Sequence, residues 1–238
     1  MSKLMFVWIG SGRAKRRKVG EAGQNLDKAA KAGLPVPPGA ILLDEFYRFA
    51  LENELAVPVG QQRVVIPEPV VLYDTLFESA RLPRFDRPLL LRPVTDELVP
   101  EPDSNHFAPG PVDSDGANEF CHALAATWNA FGQDDAECRH DVLLQEVVPA
   151  VYEGTAISDS DDDVDIVEYR SATDEPATTG NLARLGSWRM PHESLPPHAQ
   201  RLQMLLRGVR RTMGRDSWTV TWADDGQICW LTGLDIGD

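Results

Sequence analysis

The spacing of the apolar positions changes about half-way along this chain of 238 residues. In the first half, apolar residues at helical spacing alternate with short apolar runs, which is typical of mixed helices and strands. In the second half most apolar runs are short, and Asp224, Asp225 and Gly226 have the composition of a hairpin turn. The pattern predicts an α+β fold with a mixed first lobe and a second lobe built on an antiparallel sheet. The predicted helices are 24–32, 44–55, 68–80, 119–131 and 195–213, and the predicted strands are 4–9, 40–43, 88–92, 142–148, 154–158, 164–169, 218–222 and 227–231.

Glycines and prolines set the boundaries of the first elements. Gly33 allows the left-handed turn that ends helix 24–32. Three prolines between residues 35 and 38 then impose an extended run, because proline cannot donate into a helix and disfavours helix in the residue before it. Asp44 is predicted to cap the next helix. The sequence also predicts that the proline-rich and acidic stretch 99–116 is the longest loop.

The segment from residue 24 to residue 43, a helix followed by AGLPVPPG and a strand, resembles the start of a known nucleotide-binding domain. It is similar to that of the pyruvate phosphate dikinase and phosphoenolpyruvate synthase family. Further motifs in the same order extend the resemblance over nearly the whole chain. It implies one ATP-grasp-like domain over residues 1–238, with lobes of about 1–135 and 136–238.

Some nucleotide-contacting positions of that family are retained. Arg92 follows an apolar strand and matches the arginine that contacts the ATP phosphates. Gln145, Glu146 and Val148 lie in a segment similar to the family's Gln-x-Met-Val strand, which lines the adenine pocket. The resemblance therefore implies a vestigial or weak nucleotide site at these four residues.

The residues that the family uses for phosphoryl transfer are replaced. Ala22 stands where a lysine reaches the ATP phosphates, and Thr219 and Thr221 stand where two carboxylates hold magnesium. Thr232 and Leu234 replace a glutamine and an arginine that serve the transferred phosphate. Phosphoryl transfer depends on such cations and on the metal, and a threonine hydroxyl is a poor magnesium ligand. The prediction is therefore no catalytic residue, no metal site and no required cofactor.

The net charge and its distribution along the chain limit the kinds of partner that the protein can bind. The net charge of −14 argues against nucleic-acid binding and against attraction to anionic membranes. The stretch 13–18 is the exception, because five of its six residues are cations. It fits a solvated loop, or a surface that docks an acidic partner or a phosphate-bearing ligand. The cations predicted as a partner contact are Arg13, Lys15, Arg16, Arg17 and Lys18.

The remaining chemistry-bearing residues predict little. The three cysteines are odd in number and widely spaced, which favours a reducing cytoplasm over a disulfide framework or a zinc site. The acidic turn 159–165 has neither the glycine nor the glutamate that an EF-hand loop needs at its sixth and twelfth positions. The apolar run 4–9 is too short to span a bilayer and is predicted as a first strand.

Two hypotheses for function follow. The first is a catalytically degenerate relative of the dikinase nucleotide-binding domain that acts as a binding or scaffold protein, with another protein as its partner. The second is a divergent phosphotransferase subunit that still binds Mg-ATP and acts with separately encoded phosphohistidine and substrate domains. An unrelated fold is the third possibility.

Overall fold

The chain divides into two units in a computed structural model that describes residues 5–60, 63–94, 110–131, 139–159, 162–173, 176–186, 188–214 and 217–237. One unit comprises Met1–Gly23 and Pro38–Val147, and the other comprises Gln24–Pro37 and Val148–Asp238. The strands are β1 (Phe6–Trp8), β2 (Gly39–Leu42), β3 (Val57–Val59), β4 (Arg63–Val65), β5 (Leu89–Pro93), β6 (Val142–Glu146), β7 (Tyr152–Ser158), β8 (Val164–Ser171), β9 (Thr178–Ala183), β10 (Trp218–Asp224) and β11 (Cys229–Ile236). The helices are α1 (Glu21–Lys31), α2 (Asp44–Glu52), α3 (Pro69–Asp74), α4 (Ala117–Asn129) and α5 (Pro197–Met213).

The first unit is built on a four-stranded antiparallel sheet in the order β1-β2-β6-β5. Successive side chains of a strand point to opposite faces. On one face Val142 and Leu144 of β6 join a buried core that α2, α3 and α4 complete through residues such as Phe46, Leu72 and Phe120. The opposite face carries the polar side chain of Gln145, which is also buried.

The second unit is built on a five-stranded antiparallel sheet in the order β11-β10-β7-β8-β9. Helix α5 supplies the apolar stripe that covers it, because Leu202, Leu205, Leu206 and Val209 recur at helical spacing and are all buried. Trp222 is the largest fully buried side chain of the sheet. The α+β class predicted from the sequence is confirmed.

Most of the predicted elements that lie in the described ranges are present, with shifted ends. Strand β6 ends at Glu146, so the prediction that Val148 lies on a strand is wrong. Val148 precedes Pro149, which has no amide hydrogen for a sheet ladder and favours an extended, unpaired neighbour. The hairpin of β3 and β4 and strand β9 were not predicted, since one contains Pro58 and the other is polar around Gly180.

Asp44 is not a cap: it is the first helical residue of α2, its carboxylate binds His140 and Arg48, and Leu43 stands at the cap position. Residues 95–109 of the predicted long loop lie outside the described residues. None of the helices in the described ranges combines the length and apolar character that a bilayer span requires.

Candidate functional site

Arg92 and Gln145 lie on neighbouring strands and contact each other directly. Gln145 of β6 pairs with Leu90 of β5, and Arg92 is two residues further along the same face. Nη2 of Arg92 donates a hydrogen bond to Oε1 of Gln145 at 2.6 Å. The structure therefore brings together two of the four residues predicted as a nucleotide site.

Gln145 is held in place by a close backbone approach. It is 3% exposed and pairs with Gly39 of β2. A Cβ atom at residue 39 would lie 2.5 Å from the carbonyl oxygen of Leu144 and 3.3 Å from Cα of Gln145, so the position requires glycine. Nε2 of Gln145 is buried and has no hydrogen-bond partner among the described residues. A buried amide donor without a partner is costly, and a ligand acceptor would satisfy it.

The other two predicted residues have different surroundings. Oε1 of Glu146 accepts a hydrogen bond from the backbone amide of Asp86 at 3.3 Å, which ties the end of β6 to the segment before β5. Val148 lies beyond the strand, and its carbonyl oxygen accepts from the amide of Ala150 at 2.8 Å. Neither contact is specific to a nucleotide site.

The two threonines that stand at the predicted magnesium positions lie on a regular strand of the second unit. Thr219 and Thr221 are two residues apart on β10 and share a face of the sheet. Thr219 pairs with Asp235 of β11, and Thr221 pairs with Gly233. One carboxylate therefore lies opposite the two threonines. That Arg92 converges with these threonines stays a prediction.

These residues do not fit a magnesium ion carrying ATP phosphates. Magnesium binds through hard oxygen ligands, normally one or two carboxylates together with the phosphates. Two threonines and a single aspartate do not reproduce a carboxylate pair, and Ala22 provides no cation. Within the part of the chain that the structure describes, no three histidine, cysteine, aspartate or glutamate residues are grouped so that they could hold a metal.

The predicted basic contact forms a tight turn in the first unit. Residues Lys15–Arg17 make a single 3-10 turn, and Lys18 has a left-handed backbone with φ of 54°. Arg17 is half-buried and Nη2 lies 3.5 Å from the carboxylate of Glu45 in α2. Its four predicted companions, Arg13, Lys15, Arg16 and Lys18, are exposed.

Glu45 joins this turn to a buried ionic network that the sequence did not reveal. Arg139 donates to Glu45 at 3.2 Å and makes two bonds of 2.9 and 3.0 Å to Asp141, which is fully buried. The backbone amide of Asp44 donates to Asp141 at 2.8 Å. Burial opposes ionisation of Asp44, but hydrogen bonds from His140 and Arg48 outweigh it and lower the pKa of Asp44 to about 2. Burial raises the pKa of Asp141.

These contacts indicate a structural role for the network. The ring of His140 stacks on Tyr47 with centroids 4.0 Å apart, while its backbone amide donates to Asp44. Every carboxylate of the network accepts from an arginine or a backbone amide, which is how buried charges are stabilised. The sequence predicts a helix cap at Asp44, whereas in the structure its carboxylate belongs to this network.

The described cysteines have no environment that would activate them. Cys121 and Cys229 are free and buried. Burial raises the pKa of Cys121 to about 12 and also raises the pKa of Cys229, so both thiols stay protonated at neutral pH. Cys138 lies outside the described residues.

Comparisons with known proteins give a fold-level likeness. No protein-family model matches the chain, and no curated protein matches it. Solved structures that match include a D-Ala:D-Ser ligase from Enterococcus faecalis, with 12% identity and a TM-score of 0.46 over 91% of this chain and 52% of the ligase. A D-alanine–D-alanine ligase from Bacillus anthracis complexed with ATP matches with 11% identity and a TM-score of 0.47, over 96% of this chain and 56% of the ligase.

A third match carries the fold name in its description. It is a RimK domain protein ATP-grasp from Sphaerobacter thermophilus, with 15% identity and a TM-score of 0.43 over 95% of this chain and 62% of that one. The chain thus spans little more than half the length of these structures. One of these three descriptions names the ATP-grasp fold, and none of them names the narrower dikinase family.

Proposed function

We propose that this chain is a catalytically degenerate ATP-grasp-type protein that works by binding another protein. The observation that carries the proposal is the set of residues where catalysis would need charge: Ala22, Thr219 and Thr221 provide no cation and no carboxylate. Losing one stabilising cation can lower a phosphoryl-transfer rate by about 10³–10⁵. Arg92, engaged with Gln145, cannot replace the whole set. A reducing cytoplasm, proposed from the cysteine pattern, is the setting.

A second candidate function is favoured by one observation, the partnerless Nε2 of buried Gln145 beside Arg92. A hydrogen-bond acceptor of a nucleotide would satisfy that amide. The second candidate is therefore a phosphotransferase subunit that still binds Mg-ATP and acts with separately encoded phosphohistidine and substrate domains. It needs another source of charge, for which the exposed cations at residues 13, 15, 16 and 18 are available.

The purified protein is expected to show no heat of binding with Mg-ATP in isothermal titration, no phosphoenzyme and no ATP hydrolysis above background. The physical reason is the missing charge at residues 22, 219 and 221. The triple variant Ala22→Lys, Thr219→Asp and Thr221→Glu is expected to gain ATP binding without turnover, because the glutamine and arginine of the family stay replaced by Thr232 and Leu234.

Two variants make this test decisive. Arg92→Ala and Gln145→Leu remove the charge and the buried amide of the retained pair. If the unmodified protein binds Mg-ATP with micromolar affinity and both variants lose it, the second candidate function is correct and the degenerate one is wrong.

Residues 13–18 form the basic turn, and its exposed cations are expected to increase the rate at which an acidic partner binds. Changing Arg13, Lys15, Arg16 and Lys18 to serine should slow recovery of partners in pull-downs at low salt and have less effect at high salt, since rim charges act mainly on the association rate. The melting temperature should hardly change, because exposed substitutions shift stability by within about 0.5 kcal/mol.

Arg17→Ser is the matched control from the same turn. It removes the ion pair with Glu45 and leaves the exposed cations in place, so partner recovery should stay close to that of the unmodified protein. If the four-residue variant recovers partners at the same rate as the unmodified protein, the basic turn is not a docking element.

A further inference from the structure

Arginines are concentrated in the segment between strand β9 and the end of α5. Residues 184–214 contain six arginines and one acidic residue, Glu193, in a chain whose net charge is −14. Three of these arginines are paired with buried carboxylates: Arg184 and Arg210 with Asp165, and Arg201 with Asp224. The other three, Arg189, Arg207 and Arg211, have no carboxylate partner among the described residues.

Large apolar side chains accompany those three arginines. Trp188 is 97% exposed and Met190 is 77% exposed, both in the connection that leads to α5. Met204 of α5 is 39% exposed. A tryptophan exposed to this degree adds no burial energy to the fold. Tryptophan, methionine and arginine are enriched at surfaces where proteins bind one another.

Arg207 of α5 holds the segment between β9 and α5 against the helix. Its Nη1 donates to the carbonyl oxygen of Arg189 at 2.8 Å, and its Nη2 lies 3.0 Å from Sδ of Met204. The amide of Arg189 closes a turn by donating to the carbonyl oxygen of Gly186 at 3.1 Å. Arg211 lies one helical turn beyond Arg207. The six residues of this surface, named here the Trp188 patch, are Trp188, Arg189, Met190, Met204, Arg207 and Arg211.

We propose that the Trp188 patch docks an acidic peptide segment of another protein, with an aromatic or aliphatic side chain of that segment against Trp188. Charge complementarity identifies the occupant, because the patch combines three cations, for which the described residues offer no carboxylate partner, with three exposed apolar side chains. The bond from Arg207 holds the backbone of Arg189, next to Trp188, which reduces the backbone entropy lost on binding.

A short acidic segment fits this patch better than a nucleic acid does. The rest of the chain is strongly acidic and would repel a long polyanion. The two methionines offer soft, adaptable contacts for apolar side chains and nothing for phosphates. This inference is independent of the proposed loss of catalysis, because the patch lies wholly in the second unit and shares no residue with Arg92 or Gln145.

The test is selection from a random 12-residue peptide-display library against the whole protein. Counter-selection uses the variant Trp188→Ser, Arg189→Glu and Arg211→Glu, which leaves Arg207 to hold the turn. Peptides rich in Asp and Glu with one aromatic or aliphatic anchor are expected to be enriched. When these peptides are synthesised and titrated by fluorescence anisotropy, the variant should bind them at least about tenfold more weakly.

Two exposed arginines of the first unit give a matched control. The double variant Arg63→Glu and Arg87→Glu makes the same change in charge at residues that do not belong to the patch, and it should bind the peptides within about twofold of the unmodified protein. Circular dichroism should show that both variants are folded, since the changed side chains are exposed. The proposal is overturned if no discriminating peptide is enriched, if the enriched peptides lack acidic residues, or if single-stranded dT20 binds more tightly than they do and loses binding in the patch variant.

Discussion

Asp165→Ala is expected to lower the free energy of unfolding by about 3–5 kcal/mol, as found when one partner is removed from a buried ion pair. Asp165 is fully buried on β8. Arg210 of α5 lies 2.8 Å from its carboxylate and Arg184 lies 3.1 Å from it. Removing the carboxylate takes this buried charge partner away from two largely buried guanidinium groups. Urea denaturation followed by circular dichroism measures the loss.

An exposed ion pair in the same sheet provides the control. Glu153 of β7 lies 2.6 Å from Arg170 of β8, but their side chains are 47% and 68% exposed. Because water screens both charges, Glu153→Ala should cost less than about 1 kcal/mol. The ion pairs of Asp165 with Arg184 and Arg210 form the Asp165 cluster. If both variants lose a similar free energy of unfolding, this cluster stabilises the fold no more than a surface ion pair does.

The Asp165 cluster shows why the sequence predicted elements better than contacts. Apolar spacing indicates which face of a helix is buried, and it placed α5 almost correctly. It says nothing about an arginine that lies at the edge of that face. The sequence does not distinguish Arg184, Arg201 and Arg210 from the other arginines of the segment 184–214. Their pairing depends on tertiary contacts with Asp165 of β8 and Asp224 of β10.

For Arg92 and Gln145 the sequence also predicts the strands and not the contact between the side chains. The apolar run that ends in a cation predicted a strand at Arg92, and the strand predicted over residues 142–148 included Gln145. The hydrogen bond between them depends on the pairing of β5 with β6, which are separated by a long stretch of sequence. The close approach of Gly39 depends on the pairing of β2 with β6. Local propensity carries no information on either pairing.

Strand β9 was missed for a physical reason. Its residues include two threonines, Gly180 and Asn181, and glycine and asparagine are depleted in strands. The strand forms because β8 offers a complete ladder of partners, from Tyr169 opposite Thr178 to Val164 opposite Ala183. Tertiary pairing thus overrides composition at the edge of this sheet.

Gly154→Ala is expected to lower the free energy of unfolding by at least about 3 kcal/mol, whereas Gly180→Ala in the same sheet should be neutral or slightly stabilising. Gly154 of β7 pairs with Tyr169 on one side and Trp222 on the other, and the two aromatic rings lie 6.2 Å apart. A Cβ atom at residue 154 would collide with the carbonyl oxygen of Glu168 and lie 2.7 Å from Cα of Tyr169. These are backbone atoms, so strand β8 itself would have to move. A Cβ atom at residue 180 meets nothing within 4 Å. Equal stability of the two variants in urea denaturation would show that β7 and β8 are not paired in this register.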